Sequence, residues 1–208
     1  MRQFLRTIRI KNLAMFIEKV LSFLLRNLKK IYYQMRYAGR LEMAKNVDID
    51  FKSHILIKGQ GQIALDQGVH LRSKKKGYHS GMPFSSSLFA DGDKAEIRVG
   101  RNTRLNGCYI HSKKNIEIGE GCAIASGVNI LDSNGHKTLS TNRILDRDEP
   151  ESIRIGNNVW IGLNAIILKG SQIGDNSIVG ANSVVKGEYP PNSLLMGNPA
   201  KLIKNLKI

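Results

Sequence analysis

The stretch NILDSNGHKT, residues 129–138, places one histidine, His136, in a polar run between two aliphatic-rich segments. Imidazole is the one unperturbed side chain that gains and loses a proton near neutrality. In an open polar loop it is a candidate general base. Asp132, Asp146, Asp148 and Glu149 flank it, and a carboxylate beside the ring would fix its tautomer and orientation. Asp132 is the preferred partner, against the alternative of a loop aspartate that holds its own turn. His54 and His70 lie in weakly patterned sequence and His111 adjoins a turn, so each is expected to be structural or solvated. The five histidines lack the close spacing expected of a three-histidine metal site, and no metal is expected. Cys108 and Cys122 fall inside the repeating region and read as reduced packing residues of a cytosolic protein, with a reactive thiol as the alternative.

The elements that must hold His136 follow a six-residue step. Ile155, Ile161, Ile167, Ile173, Val179 and Val185 are evenly spaced, and Gly156, Gly162, Gly174 and Gly180 follow four of them. Val159, Ala165, Ser171, Ser177 and Ser183 form a second, mostly small series. Ile118, Ile124 and Ile130 repeat the step, as do Val99 and Leu105, offset by one residue. Neither a helix nor an alternating hairpin has this period. A solenoid with flat sides and sharp corners does, with the aliphatics inward and small residues or glycine at the turns. Three sides make a coil of 18 residues, so Ile155 should stack on Ile173, Ile161 on Val179 and Ile167 on Val185. Roughly six coils fit residues 46–190, followed by a tail over 191–208. Residues 72–95 and 131–152 lack the step and read as long loops, a class that is commonly functional. The first carries Lys74, Lys75, Lys76, Tyr78 and His79, which suit an anionic acceptor or a mobile basic loop.

Residues 1–45 have a different texture. Leu13, Phe16, Ile17, Val20, Leu21, Leu24, Leu28, Ile31 and Tyr32 recur at helical spacing, among Arg2, Arg6, Arg9, Lys11, Lys19, Arg26, Lys29, Lys30, Arg36 and Arg40. This is a basic amphipathic α-helical segment. It suits peripheral contact of residues 1–40 with an anionic membrane, or packing against its own domain or a sister subunit. The whole chain holds 32 Lys and Arg against 17 Asp and Glu, a net charge of +15, which favours anionic partners such as phosphates, acidic lipid or acidic sugar. Nucleic acid is not among the expected partners. The apolar runs of this segment are too short to span a bilayer, and no signal-peptide pattern precedes them.

The run IGNNVWIGLNAIILKGSQIGDNSIVGANSVV, followed by YPPNS and GNPAKLIKNL, resembles the hexapeptide-repeat acyltransferases. Within them it is most similar to the maltose and galactoside acetyltransferase-like branch and to capsule and O-antigen sugar O-acetyltransferases. The resemblance covers residues 95–206 firmly and 47–94 loosely, and does not reach 1–45. It implies a mainly β, left-handed parallel β-helix. The hand comes from the family, because ordinary crossover connections are right-handed.

The resemblance also implies a chemistry. Acetyl-CoA would be the acyl donor, and His136 would deprotonate a sugar hydroxyl of a bacterial surface polysaccharide or its precursor. Asn106, in RLNG, corresponds to an asparagine that assists the transition state. Trp160 would flank the thioester, and Gly162, Leu163, Gly180 and Ala181 would border the pantetheine arm. Lys186, Lys201 and Lys204 would meet its phosphates. The family's site lies between subunits, so a homotrimer is expected, in the cytoplasm or on the inner face of the cell membrane. A different small acceptor (an amino-sugar, serine or an antibiotic) on the same fold is the main alternative. A non-catalytic β-helix scaffold is the other.

Overall fold

The computed structural model describes residues 2–75 and 77–207, with the side chains of 2–12 and 14 left aside; Lys76 of the first basic loop lies outside the described residues. One helix, α1 (Arg2–Arg36), precedes a stack of short strands that run around a triangular prism. The first coil holds β1 (Leu41–Met43), β2 (Asp48–Ile49) and β3 (His54–Lys58). The second holds β4 (Gln62–Leu65), β5 (His70–Arg72) and β6 (Ser87–Asp91), and the third β7 (Glu96–Val99), β8 (Arg104–Asn106) and β9 (Tyr109–Ser112). Next come β10 (Asn115–Ile118), β11 (Ala123–Ile124) and β12 (Asn129–Leu131), then β13 (Ile153–Ile155), β14 (Trp160–Ile161) and β15 (Ile166–Leu168). The sixth coil is β16 (Gln172–Ile173), β17 (Ile178–Val179) and β18 (Val184–Val185). Strands β19 (Glu188–Tyr189) and β20 (Ser193–Gly197) begin another coil, and β21 (Ala200–Asn205) turns back antiparallel on β20.

Every third strand pairs in parallel, which makes three faces: a first of β1-β4-β7-β10-β13-β16-β19, a second from β2 to β20 and β21, and a third from β3 to β18. Ile155 pairs with Ile173, Ile161 with Val179 and Ile167 with Val185, as the 18-residue coil requires. The offset of Val99 and Leu105 is absorbed at the corner between Ile110 and Ile118, after a shortened step from Leu105 to Ile110, since all three meet Ile118, Ile124 and Ile130 in register. This is the parallel β-helix of the left-handed, hexapeptide-repeat kind. Its core is a column of aliphatics that includes Ile97, Leu105, Ile110, Ile124, Ile130, Ile161 and Ile167, all with no exposed surface. Buried serines occupy corner positions and are hydrogen-bonded there. Ser171 Oγ, for example, donates to the carbonyls of Leu168 at 2.6 Å and Val185 at 3.1 Å.

The corners differ from the expected arrangement. The left-handed backbone conformation falls on Asn158, Asn164, Asn176 and Asn182, with φ between 53° and 59°, and not on the repeat glycines. Asparagine tolerates this region because its short polar side chain bonds locally. Gly156 and Gly162 serve another purpose. A Cβ on Gly162 would lie 2.7 Å from the Ala181 nitrogen, and one on Gly156 would lie 2.7 Å from the Asp175 nitrogen. The glycines therefore set the closeness of successive coils.

Three segment boundaries also shift. Residues 87–91 of the expected first loop form β6, which pairs with β3 and β9 and buries Leu88 and Ala90. The period-two signal of this strand is short and hidden by the polar serines before it. The prism starts at Leu41, earlier than expected, and the expected tail contains β20 and β21. The long second excursion begins after β12 is complete, so it leaves from a corner and does not replace a side.

Helix α1 closes the open end of the prism. Tyr33 and Tyr37 join the hydrophobic core, and the backbone N–H of Ile55 donates to the Tyr33 hydroxyl at 3.1 Å. Arg26 lies 2.9 Å from Asp48 and 3.3 Å from Asp50, and Lys29 donates to the carbonyls of Phe51 and Ser53. The helix thus docks through a polar side. Leu13, Ile17, Leu21, Leu24, Leu28 and Met35 face away and are all more than half exposed. Docking therefore leaves the apolar side of the helix outward.

Truncating a column residue tests the stack. Ile124→Ala should lower the unfolding free energy by about 2–5 kcal/mol, measured by denaturant titration. Gly162→Ala should also destabilise, because the new methyl meets backbone and not a side chain that can move aside.

Candidate active site

The loop between β12 and β13 carries His136, and two buried carboxylates hold it. Asp132, with no exposed surface, accepts from Ser112 Oγ at 2.7 Å and from the N–H groups of Lys113 at 2.7 Å and Lys114 at 2.8 Å. Its backbone carbonyl accepts from Glu151 N at 2.9 Å, which closes the base of the loop. All of these partners lie on the coil below or at the far end of the loop. Asp132 is therefore a structural staple and does not orient His136, which corrects the preferred sequence assignment. The alternative of an aspartate that fixes its own turn describes it.

Asp148 does the equivalent work next to the histidine. It accepts from Ser133 Oγ at 2.6 Å, Asn134 N at 2.7 Å and Gly135 N at 3.1 Å. Lys169 anchors it at 3.1 Å, and also reaches Glu151 Oε1 at 3.2 Å and the Glu149 carbonyl at 2.8 Å. Burial opposes the charge on Asp148, but Ser133, the Asn134 amide and Lys169 outweigh it, and its pKa falls below the usual carboxylate value. The sequence named Asp148 among four flanking carboxylates. Nothing in it singled out Lys169, which arrives from the coil above.

His136 is exposed, and its Nδ1 lies against the Arg143 carbonyl. A carbonyl only accepts, so Nδ1 carries a proton, and in the neutral ring Nε2 holds the lone pair. Arg147 Nη1 is also 3.2 Å from Nδ1, but both are donors. One of its two hydrogens goes to the Ile144 carbonyl at 3.0 Å, and with Nδ1–H given to Arg143 the other finds no acceptor in the ring. The ring is oriented by a backbone carbonyl and not by a carboxylate.

Asn106 sits on the second face, half buried, and donates through Nδ2 to the Ile124 carbonyl at 2.9 Å. It lines a cavity of about 300 Å³ with Arg72, Lys74 and Arg104. Trp160 projects from the second face and is 55% exposed. Gly162 and Leu163 follow it around the corner toward the third face, with Gly180 and Ala181 on the coil above. Lys201 and Lys204 lie on β21, opposite Met196 and Leu194, and Lys186 is exposed after β18. The His136 loop leaves from a different corner, between the third and first faces, and bonds onward to Gly170 at 3.2 Å. Among the described residues no hydrogen bond or ion pair joins His136 to Asn106, Trp160 or the glycine groove.

Two further groups bear on the chemistry. His111 Nε2 is 3.1 Å from Asp91, and its ring stacks on Phe89 with centroids 4.7 Å apart. This pair comes from cross-strand neighbours separated in sequence, which explains why no local motif revealed it. Cys108 is fully buried, and burial pushes its thiol up to about 12; Cys122 is raised by the same cause. Neither is poised as a nucleophile.

The six-residue step and the three-faced stack of parallel strands define a parallel β-helix, and comparison with known proteins shows what such a chain is similar to. Residues 152–187 match the family model described as bacterial transferase hexapeptide (six repeats). Over 113 residues the chain is 37% identical to a putative lipopolysaccharide biosynthesis O-acetyl transferase, WbbJ, of Escherichia coli K12, covering 50% of this chain and 57% of that protein. It is 36% identical over 113 residues to the galactoside O-acetyltransferase of the same organism, covering 54% and 55%. The chain spans about half the length of the curated relatives it matches. Among solved structures, galactoside acetyltransferase in complex with coenzyme A aligns with a TM-score of 0.50 and 35% identity, over 53% of this chain and 56% of that one. A hexapeptide-repeat acetyltransferase of Vibrio cholerae shares the fold, with a TM-score of 0.58 and 23% identity over 91% of this chain and 89% of that one.

The Asp148 staple gives a pH signature with a definite sign. A depressed carboxyl contributes order in full above its reference value of 3.8 and loses it as pH falls through the lower folded value. Backbone amide resonances of Asn134 and Gly135 should therefore titrate together below pH 3.8. Asp148→Asn should show the acid-like shifts already at pH 7.

Proposed function

We propose that the chain is an acetyl-CoA-dependent O-acetyltransferase acting on a sugar hydroxyl of a bacterial surface polysaccharide or its precursor. The observation that carries this reading is the contact of His136 Nδ1 with the Arg143 carbonyl. Its Nδ1–H is committed to the Arg143 carbonyl on a stapled loop, and Nε2 is left to accept a proton. The acceptor hydroxyl gives its proton to Nε2 as its oxygen bonds to the thioester carbonyl carbon. The tetrahedral oxyanion collapses, the carbon–sulfur bond breaks, and the imidazolium returns the proton to the departing thiolate. The second amide hydrogen of Asn106 is the candidate donor to the oxyanion. Coenzyme A would lie along Trp160, Gly162, Leu163, Gly180 and Ala181, with Lys186, Lys201 and Lys204 toward its phosphates. The coenzyme A complex of the galactoside acetyltransferase supports this donor.

The base and the groove lie at different corners of one chain, which supports a homotrimer with the site shared between copies. Leu139, Ile144 and Leu145 on the His136 loop are 92%, 79% and 71% exposed, and a neighbouring chain would cover them. His136→Ala should reduce thiol release from acetyl-CoA in the presence of acceptor by roughly 10²–10⁴-fold. Full turnover in that variant would sink the mechanism. His111→Ala is the comparison: it should keep most of the rate, since its Nε2 is already tied to Asp91.

The outward apolar side of α1 supports peripheral binding to an anionic membrane at its cytoplasmic face. Leu13, Ile17, Val20, Leu24, Leu28, Ile31 and Met35 form a straight stripe, and no helix among the described residues is long and apolar enough to cross a bilayer. Lys19 and Lys30 flank the stripe, and this first segment holds much of the chain's positive charge. Deleting residues 1–40 would remove the core residues Tyr33 and Tyr37, so substitutions are the cleaner test. The chain should pellet with phosphatidylglycerol vesicles and not with phosphatidylcholine, and Ile17→Asp with Leu24→Asp should abolish pelleting. Loss of the trimer in that variant, with no vesicle binding by the wild type, would assign the stripe to subunit contact.

A further inference from the structure

Building on the acetyl-transfer reading, we infer that the acceptor sugar carries an anionic group, and that Arg72 and Arg104 bind it. Both arginines project from the second face beside the candidate oxyanion donor: Arg72 pairs in register with Asn106, and Arg104 with His70. All four residues line the same cavity of about 300 Å³. Its acidic residues are already engaged. Asp48 and Asp50 hold Arg26 at 2.9 and 3.3 Å, and Asp50 also accepts the amides of Ser73 and Lys74 at 2.9 Å each. Among the described residues, neither Arg72 nor Arg104 forms an ion pair; Arg72 only leans over the Tyr78 ring at 5.8 Å. Two exposed guanidinium groups without counter-ions thus stand in a concave site. Guanidinium recognises carboxylate or phosphate oxygens through paired N–H donors.

The register gives the subsite a direction. Arg104 pairs with Ala123, and Ala123 with Trp160. At a strand spacing of about 4.8 Å, Arg104 and Trp160 are roughly 10 Å apart along the face. That separation exceeds a single sugar ring and suits a sugar with its neighbour or anionic substituent, with the small Ala123 leaving room above the sheet. An anion held at Arg104 would therefore place a hydroxyl of the same or the adjoining sugar near Asn106 and the thioester end of the groove. A long polyanion fits less well, because the cavity is small.

The test is direct binding to the full chain at low salt, with galactose, galactose 1-phosphate and galacturonic acid as probes and coenzyme A present to occupy the lysine sites. At least one charged sugar should bind ~10-fold or more tightly than galactose. Tighter binding of galactose 1-phosphate assigns a phosphate, and tighter binding of galacturonic acid a carboxylate. Arg72→Ala with Arg104→Ala should erase the preference without lowering Tm, and Arg72→Lys should leave part of it. Equal affinity for charged and neutral sugars, or a preference that survives the double variant, overturns the inference. Thiol release from acetyl-CoA is read separately. Turnover that depends on His136 but shows no charge preference removes the anion subsite and leaves acetyl transfer standing. A charge preference that vanishes in the double variant, with no turnover on any acceptor, keeps the anion site and removes acetyl transfer.

Discussion

The stacking register of the coils constrains everything else in this molecule. Each side must deliver one aliphatic inward at the same height as its neighbours, so that Ile118, Ile155 and Ile173 form one column and every strand pairs with the next. The glycines after these residues let the backbones approach until a methyl would collide. Because neighbours share this geometry, a side cannot gain a residue without misplacing the coils on both sides. Variation is confined to corners, and both long excursions leave from corners, after β5 and after β12.

A loop on such a frame still has to be ordered, and here buried carboxylates do it. Backbone amides turned inward at a corner have no strand partner, and leaving them unpaired is costly. Asp132 satisfies two of them, and Asp148 satisfies two more directly before His136. The charge on Asp148 is balanced by Lys169 from the next coil, so the loop is tied to the column as well as to itself. An exposed histidine on a long loop is by itself imprecise. Held by Asp148 below and the Arg143 carbonyl behind, its reacting nitrogen has a defined direction.

The coil register was legible in the sequence because the inward aliphatics are obligatory and evenly spaced. The strand at 87–91 was not, since only Leu88 and Ala90 point inward and the serines before it look like a linker. The candidate base was legible as a lone histidine in an interruption. Its orienting group was not, because a backbone carbonyl has no sequence signature. Asp132 and Asp148 are the same residue type on either side of His136, and only the fold shows that each holds a different end of the loop. The helix was legible as amphipathic, but its polarity relative to the body was not. Which side docks depends on Asp48 and Asp50, which the helix meets only in three dimensions.

That docking has a consequence for the cavity beside it. Arg26 is drawn onto Asp48 and Asp50, and so the helix offsets one of the two negative charges nearest the basic patch. Without Arg26 the cavity would present these acids alongside Arg72 and Arg104, and the local field would be nearly balanced. With it, the positive charge of the cavity prevails. The same contact turns the apolar stripe of α1 outward, since the polar side of the helix is the side consumed. One ion-paired contact therefore sets both the sign of the cavity beside Asn106 and the character of the outer surface of the helix. An acceptor with a negative group and a membrane carrying negative lipid are partners of matching charge for these two surfaces, and the helix places them side by side.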